Sequence, residues 1–337
     1  MRKRLFAALM CLCLIVSLLP AAALAADEDG VSISIGKYDV PGSKDNPAYA
    51  TTDAETGAIT PINPATDPWN IRWDGETLTL NGATIIYDVY DSDVAIYSTG
   101  DLKIELVGNN TVTGSSRGIE SKGDITISGS GTLEVSGGDV SEDGYASYGI
   151  YADGNVTVEG ATVTATGGNA IDYASYGIYA GGDVTVEDAN VTATGGKAGG
   201  SSYGIQAYEG IVTISGGTVE ATGSEAGGDS CGICAYDGSV NISGGTVEAT
   251  GGEAGGSSYG IYGTYITVQG EGGKTGVTIT GGNVTATGGT VSSDEAVSCG
   301  IYGSSGGVPT GISISGGEVT ATGGTVTATG GEVTDGA

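Results

Sequence analysis

The sequence predicts an all-β protein, a right-handed parallel β-helix of about eight or nine coils with three short strands in each coil. Gly-Ile pairs recur at spacings of 31, 28, 27, 28, 28 and 40 residues, and each period of roughly 28 residues holds three runs in which apolar and polar residues alternate. No helical stripe of apolar residues interrupts them. The pairs begin at Gly118, Gly149, Gly177, Gly204, Gly232, Gly260 and Gly300.

One repeat shows how the coil is built. Its three runs are residues 148–152, 156–159 and 162–168, here called the first, second and third strand of a coil. Alternation with a period of two indicates a strand with one buried face. Because the runs are too short for a β-sandwich, we expect each strand to stack on its counterpart in the next coil.

When the repeats are aligned, the same position carries the same type of residue in successive coils. These columns of apolar residues predict the core. The third strands supply Ala165, Ala193, Ala221, Ala249, Ala286 and Ala321 beside Val163, Val191, Val219, Val247, Val284 and Val319. The second strands supply apolar pairs such as Val156 with Val158, and the first strands supply the Ile of each Gly-Ile pair. Each buried Val or Ile contributes about 1.5–3 kcal/mol. The Gly-Gly pairs that close most coils predict tight corners with positive φ.

The chain divides into four predicted segments. Residues 1–25 have a basic start, an apolar run and small residues before Ala25, which is typical of a secretory signal peptide. Residues 26–70 are rich in Pro, Thr and Asp and are predicted as a linker or N-terminal cap. The parallel β-helix is predicted over 71–331, with a tail at 332–337. The sequence therefore predicts a secreted, extracellular protein, either free or associated with the cell surface.

The charge excludes several partners. The formal net charge is −29, and loss of the three basic residues of the leader makes it −32. Such a chain is not expected to bind nucleic acid or insert in a membrane, since it lacks a basic patch and a second apolar stretch. The absence of His excludes His-dependent triads and His-ligated zinc sites.

Tyrosines form the candidate binding surface. The outward position after each Gly-Ile pair carries tyrosine in several coils, and stacked rings along the helix predict a flat platform for sugar rings. The candidate carbohydrate-binding residues are Tyr97, Tyr151, Tyr179, Tyr262 and Tyr302. The alternative is a ladder that only stabilises the sheet. A second ladder, Tyr148, Tyr176, Tyr203 and Tyr259, is predicted to face inward with the Ile and to pack.

Acidic side chains at the corner before the second strand predict calcium ligands, because oxygens repeated at coil spacing can share a hard cation. The candidate ligands are Asp101, Asp124, Asp153, Asn155, Asp183, Glu209 and Asp237. The alternative is that these side chains cap the turn by accepting hydrogen bonds from local backbone N–H groups.

A family resemblance rests on the segments 73–83, 100–112 and 123–133, which share Gly, Asp and alternating apolar residues before a Gly-containing corner. Over roughly residues 73–138 the chain resembles secreted bacterial carbohydrate-binding domain proteins, whose β-helix is similar to that of polysaccharide lyases. The resemblance implies calcium-supported binding of a plant polysaccharide such as cellulose or pectin, with no established reaction and no individual ligand-binding residue.

Three functions follow as hypotheses: a non-catalytic polysaccharide-binding protein or adhesin, a structural or surface-display rod, and a calcium-dependent lyase. A lyase needs a base, and Lys103, Arg117 and Lys122 form the candidate basic cluster. Repeated Thr-Ala-Thr in the third strands also resembles an ice-binding surface, although Glu220 and Glu248 interrupt it. Cysteines 231, 234 and 299 are predicted to be inert, because strict alternation turns the ends of Cys231-Gly-Ile-Cys234 to opposite faces.

Overall fold

The computed structural model of the chain describes residues 31–87, 94–141, 145–265, 276–293, 296–305, 312–314 and 318–322. The predicted leader, 1–25, and the predicted tail, 332–337, lie outside these ranges and stay predictions. Among the residues described, none forms a helix with the length and apolarity that a membrane span requires.

The described chain is a parallel β-helix, as the repeat predicts. Successive coils contribute one strand each to three sheets, which we call the first, second and third sheet after the strand of the coil that forms them. Within each sheet every coil strand pairs in parallel with the corresponding strand of the next coil. Repetition of short alternating strands therefore specifies the architecture, since each strand buries its apolar face only when the coil closes on itself.

The strand bounds follow the repeat. The N-terminal strands are β1 (Ile33–Ile35), β2 (Tyr38–Val40), β3 (Ala48–Thr52), β4 (Ile59–Pro61) and β5 (Ile71–Trp73). The first sheet contains β8 (Val94–Ser98), β11 (Arg117–Ser121), β14 (Ser147–Ala152), β17 (Ser175–Ala180), β20 (Ser202–Ala207), β23 (Ser230–Ala235), β26 (Ser258–Tyr265) and β29 (Ser298–Ser305). The second contains β6 (Thr77–Asn81), β9 (Leu102–Val107), β12 (Ile125–Gly129), β15 (Val156–Glu159), β18 (Val184–Glu187), β21 (Val212–Ile214), β24 (Val240–Ile242), β27 (Val277–Ile279) and β30 (Ile312–Ile314). The third contains β7 (Thr84–Tyr87), β10 (Asn109–Gly114), β13 (Thr132–Gly137), β16 (Thr162–Thr166), β19 (Ala189–Thr194), β22 (Gly217–Thr222), β25 (Thr246–Thr250), β28 (Asn283–Thr287) and β31 (Glu318–Thr322).

The core lies between the three sheets and consists of the predicted columns. In the third sheet the register pairs Ala165 with Ala193 and Val163 with Val191, and these side chains are at most 2% exposed. The Val pair of β15 and the Ile of each described Gly-Ile pair are likewise buried. The core is thus a set of in-register apolar columns, each extended by one residue per coil.

The corner between the third and first sheets uses glycine for a reason different from the predicted one. Neither Gly167 nor Gly168 has a positive φ, so that prediction is wrong. A Cβ at Gly167 would lie 2.6 Å from the carbonyl oxygen of Tyr176, and one at Gly168 would meet the Gly138 carbonyl of the preceding coil. Glycine is required here because coils approach too closely for a side chain.

A buried serine ladder ties this corner together. The hydroxyl of Ser175 donates to the carbonyl of Gly168 at 2.7 Å and accepts from the N–H of Gly196, in the next coil, at 2.7 Å. The same column continues through Ser147, Ser202, Ser230 and Ser258, all fully buried. Each hydroxyl thereby satisfies two backbone groups that the corner leaves without strand partners.

Residues 31–73 form antiparallel strands at the N-terminal edge. Strand β1 pairs antiparallel with β8 of the first sheet, and β5 pairs antiparallel with β6 of the second. The parallel ladder therefore begins at Thr77–Asn81 rather than at Ile71, where the sequence placed the first coil. Trp73 is 1% exposed and packs in the core at this edge. These antiparallel pairs cover the N-terminal edges of the first and second sheets, whereas β7 is the terminal strand of the third sheet.

Candidate functional site

The outer face of the first sheet carries two rows of side chains, because each strand is irregular at its glycine. In β14 the register passes over Gly149, where an added Cβ would lie 2.7 Å from the backbone nitrogen of Thr166. Gly149 and Ile150 therefore both face inward, and the alternation shifts by one residue, as in a β-bulge. Tyr148 and Tyr151 consequently lie on the same outer face, with ring centroids 5.0 Å apart.

Register defines the two rows. The upstream row is Arg117, Tyr148, Tyr176, Tyr203, Cys231, Tyr259 and Cys299. The downstream row is Tyr97, Glu120, Tyr151, Tyr179, Gln206, Cys234, Tyr262 and Tyr302. The prediction that the upstream tyrosines face inward with the Ile is wrong, since strict alternation does not survive the glycine.

All five predicted carbohydrate-binding tyrosines lie in the downstream row, but they do not form one continuous platform. Tyr151 and Tyr179 stack at 5.1 Å, and Tyr262 and Tyr302 stack at 5.4 Å. Gln206 and Cys234 separate these two pairs, and Glu120 separates Tyr97 from the first. The row thus presents two stacked pairs and one single ring.

The stacking determines which part of each ring is exposed. The planes of Tyr151 and Tyr179 are within 4° of parallel, so their faces are turned toward each other along the helix. In the upstream row Tyr148 and Tyr176 stack at 4.8 Å in the same way. The outer surface of a stack therefore consists of ring edges and hydroxyls. This arrangement stabilises adjacent coils by cross-strand stacking, and its binding of carbohydrate stays a prediction.

Burial sets the ionisation of these hydroxyls. Desolvation raises the pKa of Tyr148 to about 12, against a weaker opposing effect of Arg117. Burial also raises the pKa of Tyr259 to about 12 and that of Tyr151 still further, the latter aided by its hydrogen bond to Asp153. The hydroxyls therefore remain protonated at neutral pH and act as hydrogen-bonding groups rather than as bases.

A charged cluster lies on the N-terminal side of the first tyrosine stack in both rows. The guanidinium of Arg117 lies 5.3 Å from the ring centroids of both Tyr148 and Tyr151 and pairs with Glu120 at 2.7 Å. Lys122 pairs with the other oxygen of Glu120 at 2.7 Å. Glu120 is 4% exposed, so its charge is buried between two cations. The cluster caps the exposed face of the first tyrosine stack.

The candidate lyase bases are all engaged with carboxylates. Lys103 pairs with Glu76, which also pairs with Lys44 and whose pKa falls to about 2 because of these bonds. Arg117 and Lys122 share Glu120 as described. A base that removes a proton from a sugar acid must be free to accept it, and none of the three candidates is free of an ion pair.

Four of the seven candidate calcium ligands form an Asx ladder. The Oδ1 of Asp101 accepts from the N–H of Asp124 at 2.9 Å, and that of Asp124 accepts from the N–H of Asn155 at 2.8 Å. The pattern continues from Asn155 to Asp183 and from Asp183 to Ile211, each at 2.7 Å. These side chains therefore cap the corner of the next coil, whereas the alternative stated from the sequence had them accept from backbone N–H groups of their own turn.

The other three candidates lie one column away. Asp153 accepts from the hydroxyl of Tyr151 at 2.6 Å and lies 3.5 Å from the ammonium of Lys122. Glu209 and Asp237 lie exposed one residue after Tyr208 and Tyr236. Within the described ranges no three Asp, Glu or Cys side chains gather as a metal-binding group, so calcium stays a prediction at these positions.

An open groove of about 660 Å³ follows the corner between the third and first sheets. Its floor is a column of alanines joined coil to coil by single parallel bridges: Ala170, Ala198, Ala226 and Ala254. One wall carries a polar side chain from each coil: Asp139, Asn169, Lys197, Glu225 and Glu253. The other wall is low and carries Ile171, Gly199, Gly227 and Gly255.

The polar wall of the groove is ordered and acidic. The Oδ1 of Asn169 accepts from the N–H of Lys197 at 3.0 Å, and the ammonium of Lys197 pairs with Glu225 at 2.6 Å. Asp139 and Glu253 add two further carboxylates. Sequence reasoning missed this groove, although the recurring Ala three residues after each corner glycine was visible in the repeat.

Comparison with known proteins gives one finding. A family model described as a beta helix repeat matches residues 156–178, 212–233, 240–261 and 277–307. No match is found among curated proteins or among solved structures. Each matched segment runs through a second, a third and a first strand of the helix, and with the sheets above the matches show a β-helix repeat domain.

Proposed function

We propose that this β-helix repeat protein binds an extended, uncharged polysaccharide in the groove along the alanine column and leaves the polymer intact. The observation that supports the proposal is the repetition of the groove itself. Each of several consecutive coils adds one alanine to the floor and one polar side chain to the wall. A surface that repeats along one axis is complementary to a ligand that repeats along the same axis.

The chemistry of the groove suits a glycan. An apolar floor with a few polar groups at one side is the usual composition of a site for a small or extended neutral ligand. The floor alanines are at most 8% exposed and limit how deep a sugar ring sits, and Asn169, Lys197 and the carboxylates exchange hydrogen bonds with its hydroxyls. Ile171, which is 60% exposed at the groove rim, adds apolar contact area.

The negative charge of the groove wall favours a neutral polymer over an acidic one. The groove wall has more carboxylates than cations, Lys197 is already paired with Glu225, and the whole chain has a net charge of −29. A polyuronate such as pectin would be repelled unless a divalent cation bridged it to the protein. Of the two polymers that the family resemblance implies, this proposal favours cellulose or another neutral glucan over pectin.

Binding without cleavage follows from the state of the candidate bases. Lys103, Arg117 and Lys122 each hold an ion pair with a carboxylate, so each is held as a cation and is poorly placed to accept a proton from a sugar acid. The predicted leader places the protein outside the cell, where a polysaccharide ligand and an adhesive role are both accessible. Calcium enters the proposal only as a bridge between acidic side chains and an acidic polymer.

A pull-down against insoluble cellulose, xylan, chitin and cross-linked pectin tests the proposal. Retention on a neutral polymer, equal with calcium and with chelator, is expected, with no new unsaturated uronide absorbance in the supernatant. Retention on pectin alone, in the presence of calcium, would show that the charge argument is wrong. Appearance of uronide absorbance would make the protein a lyase.

Variants locate the site. Ala226→Leu fills the groove floor, and Ile171→Ser removes an exposed apolar contact; each should weaken binding about tenfold, equivalent to about 1.4 kcal/mol. Ile86→Ser, at a similarly exposed isoleucine of β7, is the matched control and should bind like the parent. If instead Tyr151→Ala with Tyr179→Ala abolishes binding and the groove variants do not, the tyrosine row is the site.

A display rod without a small ligand is the second candidate. The serine, Asx and tyrosine ladders favour it, because all three use their side chains to join adjacent coils. Under this candidate none of the four polymers retains the protein, and the groove variants change nothing measurable beyond stability.

A further inference from the structure

The corner between the third and first sheets is longer in one coil than in the three coils that follow it. In those three coils a glycine pair comes directly after the floor alanine of the groove. One coil earlier, residues 171–173 occupy this place. Gly199 lies against Ile171 and Gly200 lies against Tyr173, so Asp172 is an additional residue. The groove therefore differs at its N-terminal end from the coils beyond.

Close packing of the coils explains why the later corners carry glycine. A Cβ at Gly227 would collide with the carbonyl oxygen of Gly199, and one at Gly255 would collide with the carbonyl oxygen of Gly227. A Cβ at Gly199 would collide with the carbonyl oxygen of Ile171 in the same way. Of these four coils, only the first can therefore carry large side chains on this wall of the groove.

The side chains of the longer corner belong to an exposed apolar patch. Ile171 is 60% exposed and lines the groove, and Tyr173, two residues further on, is 49% exposed. Tyr145 is 40% exposed and holds the equivalent place one coil earlier. Each tyrosine lies two residues before a buried serine of the ladder, and these serines, Ser147 and Ser175, pair in register. Exposed apolar side chains gathered in adjacent coils are typical of a contact surface.

The rings of this patch differ from those of the two tyrosine rows. In the upstream row Tyr148 and Tyr176 turn their faces toward each other, so that ring edges remain outside. Within the part of the chain that the structure describes, neither Tyr145 nor Tyr173 stacks on another ring. A sugar packs its C–H face on the flat face of an aromatic ring, while its hydroxyls bond to polar groups nearby. The patch thus offers ring faces that the rows do not.

We propose that Tyr173, with Ile171 and Tyr145 beside it, forms an aromatic subsite at the N-terminal end of the groove, where the face of one sugar ring of a neutral polysaccharide packs. This inference rests on the proposed function and adds to it an apolar anchor for the polymer. Among the residues that line the groove, none at the opposite end, where Ala254 and Ser292 lie, is aromatic. The polymer is therefore anchored at one end and held by hydrogen bonds along the polar wall.

Binding of full-length variants to insoluble cellulose tests the subsite. Tyr173→Ala should weaken binding about tenfold, because it removes an aromatic anchor. Tyr173→Phe keeps the ring and should bind like the parent. The matched control is Tyr236→Ala, since Tyr236 is 46% exposed and lies after β23, at the corner between the first and second sheets. This control should also bind like the parent. Circular dichroism of each variant establishes that the β-helix has formed.

Nitration of tyrosines with tetranitromethane, followed by peptide mapping, locates the ligand without any substitution. The soluble probe is cellohexaose, a short neutral glucan. It should reduce the nitration of Tyr145 and Tyr173, because a sugar ring covers them. Nitration of Tyr208 and Tyr236, which are 42% and 46% exposed, should not change. Equal nitration of all four tyrosines with and without the probe would overturn the subsite.

The outcomes separate failure of the subsite from failure of the proposed function. If cellulose retains the parent and Tyr173→Ala equally, the groove proposal stands and the subsite is wrong. If no neutral polymer retains the parent, the proposed function and the subsite fail together. If retention is equal but sedimentation shows a dimeric parent and a monomeric Tyr173→Ala variant, the patch is an interface between two copies of the chain, which also overturns the subsite.

Discussion

The first and third sheets are built from the same repeat but obey different rules. In the third sheet alternation is regular: Val163 and Ala165 face the core, and Thr164 and Thr166 face out. In the first sheet two consecutive residues, such as Gly149 and Ile150, face the core, and outward residues are three apart. The third sheet presents a threonine-rich surface interrupted by Glu220 and Glu248, and the first presents paired aromatic rows.

The difference shows what one glycine per strand does. Without a side chain, Gly149 approaches the backbone of the third sheet, and the strand turns there instead of continuing its alternation. Rows that would have faced opposite ways then lie side by side, and their rings meet edge to face. The aromatic face and the charged cluster beside its first stack depend on this irregularity, and so do Cys231 and Cys234, which lie in the two outer rows and not on opposite faces as predicted.

Replacing the glycine of one first-sheet strand, Gly177, should have the largest effect on stability. A Cβ at residue 177 would lie 2.6 Å from the nitrogen of Thr194 and 2.7 Å from the carbonyl oxygen of Gly204. Gly177→Ala should therefore destabilise the fold by about 3 kcal/mol, because the backbone of two sheets must shift. The matched control is Thr192→Ala, on the outer face of the third sheet, with a change within about 0.5 kcal/mol. Urea unfolding measures both, and equal effects would remove the distinction between the sheets.

Breaking the serine ladder should have the next largest effect. The hydroxyl of Ser202 donates to Gly196 at 2.8 Å and accepts from Ser224 at 2.9 Å, and it is fully buried. Ser202→Ala leaves two buried backbone groups without these partners and should cost about 2 kcal/mol. Ser202→Thr keeps the hydroxyl as a comparison. A loss below about 0.5 kcal/mol in thermal unfolding would show that the ladder is dispensable.

Alkaline pH should destabilise the tyrosine rows of the first sheet. The pKa of Tyr148 and of Tyr259 is raised to about 12, whereas an unfolded tyrosine has a pKa of about 10. Their contribution to stability is complete below pH 10 and is lost as pH rises through 12, because the unfolded state releases its protons first. The slope is at most about 1.4 kcal/mol per pH unit for each tyrosine.

The pH dependence is measured as the urea midpoint between pH 9 and the limit of reversibility. Tyr148→Phe with Tyr259→Phe should reduce the slope of this dependence, since the rings remain and two of the buried hydroxyls are gone. An unchanged slope in this double variant would assign the pH dependence to other groups.

Changing the groove wall should have the smallest effect on stability. The pair between Lys197 and Glu225 is largely exposed, and such pairs contribute about 0–1 kcal/mol. Lys197→Ala should therefore leave the unfolding midpoint nearly unchanged, at high and low salt alike. A loss above 1 kcal/mol would mean that the wall, like the serine ladder, supports the coil. Binding to a neutral polymer, measured in parallel, should weaken.

Sequence reasoning succeeded where side chains alternate without interruption. It identified the architecture, the alanine and valine columns of the third sheet and the in-register corner residues from Asp101 to Asp183. It failed at Gly149 and Gly167, because the pattern of apolar residues does not show when a glycine packs against a neighbouring backbone. The serine ladder was predictable, since Ser147 and its counterparts recur one residue before the upstream row in every regular coil.

Register has a consequence for how such a chain changes length. Tyr176 and Tyr203 are paired neighbours that are 27 residues apart, and each is followed by Gly-Ile. Deleting residues 177–203 would join Tyr176 directly to Gly204 and present the same ladders to the coil below. Recombination between repeats can thus shorten or lengthen the gene in units of one coil. The groove then gains or loses one step each time, so contour length is adjustable while every local contact is retained.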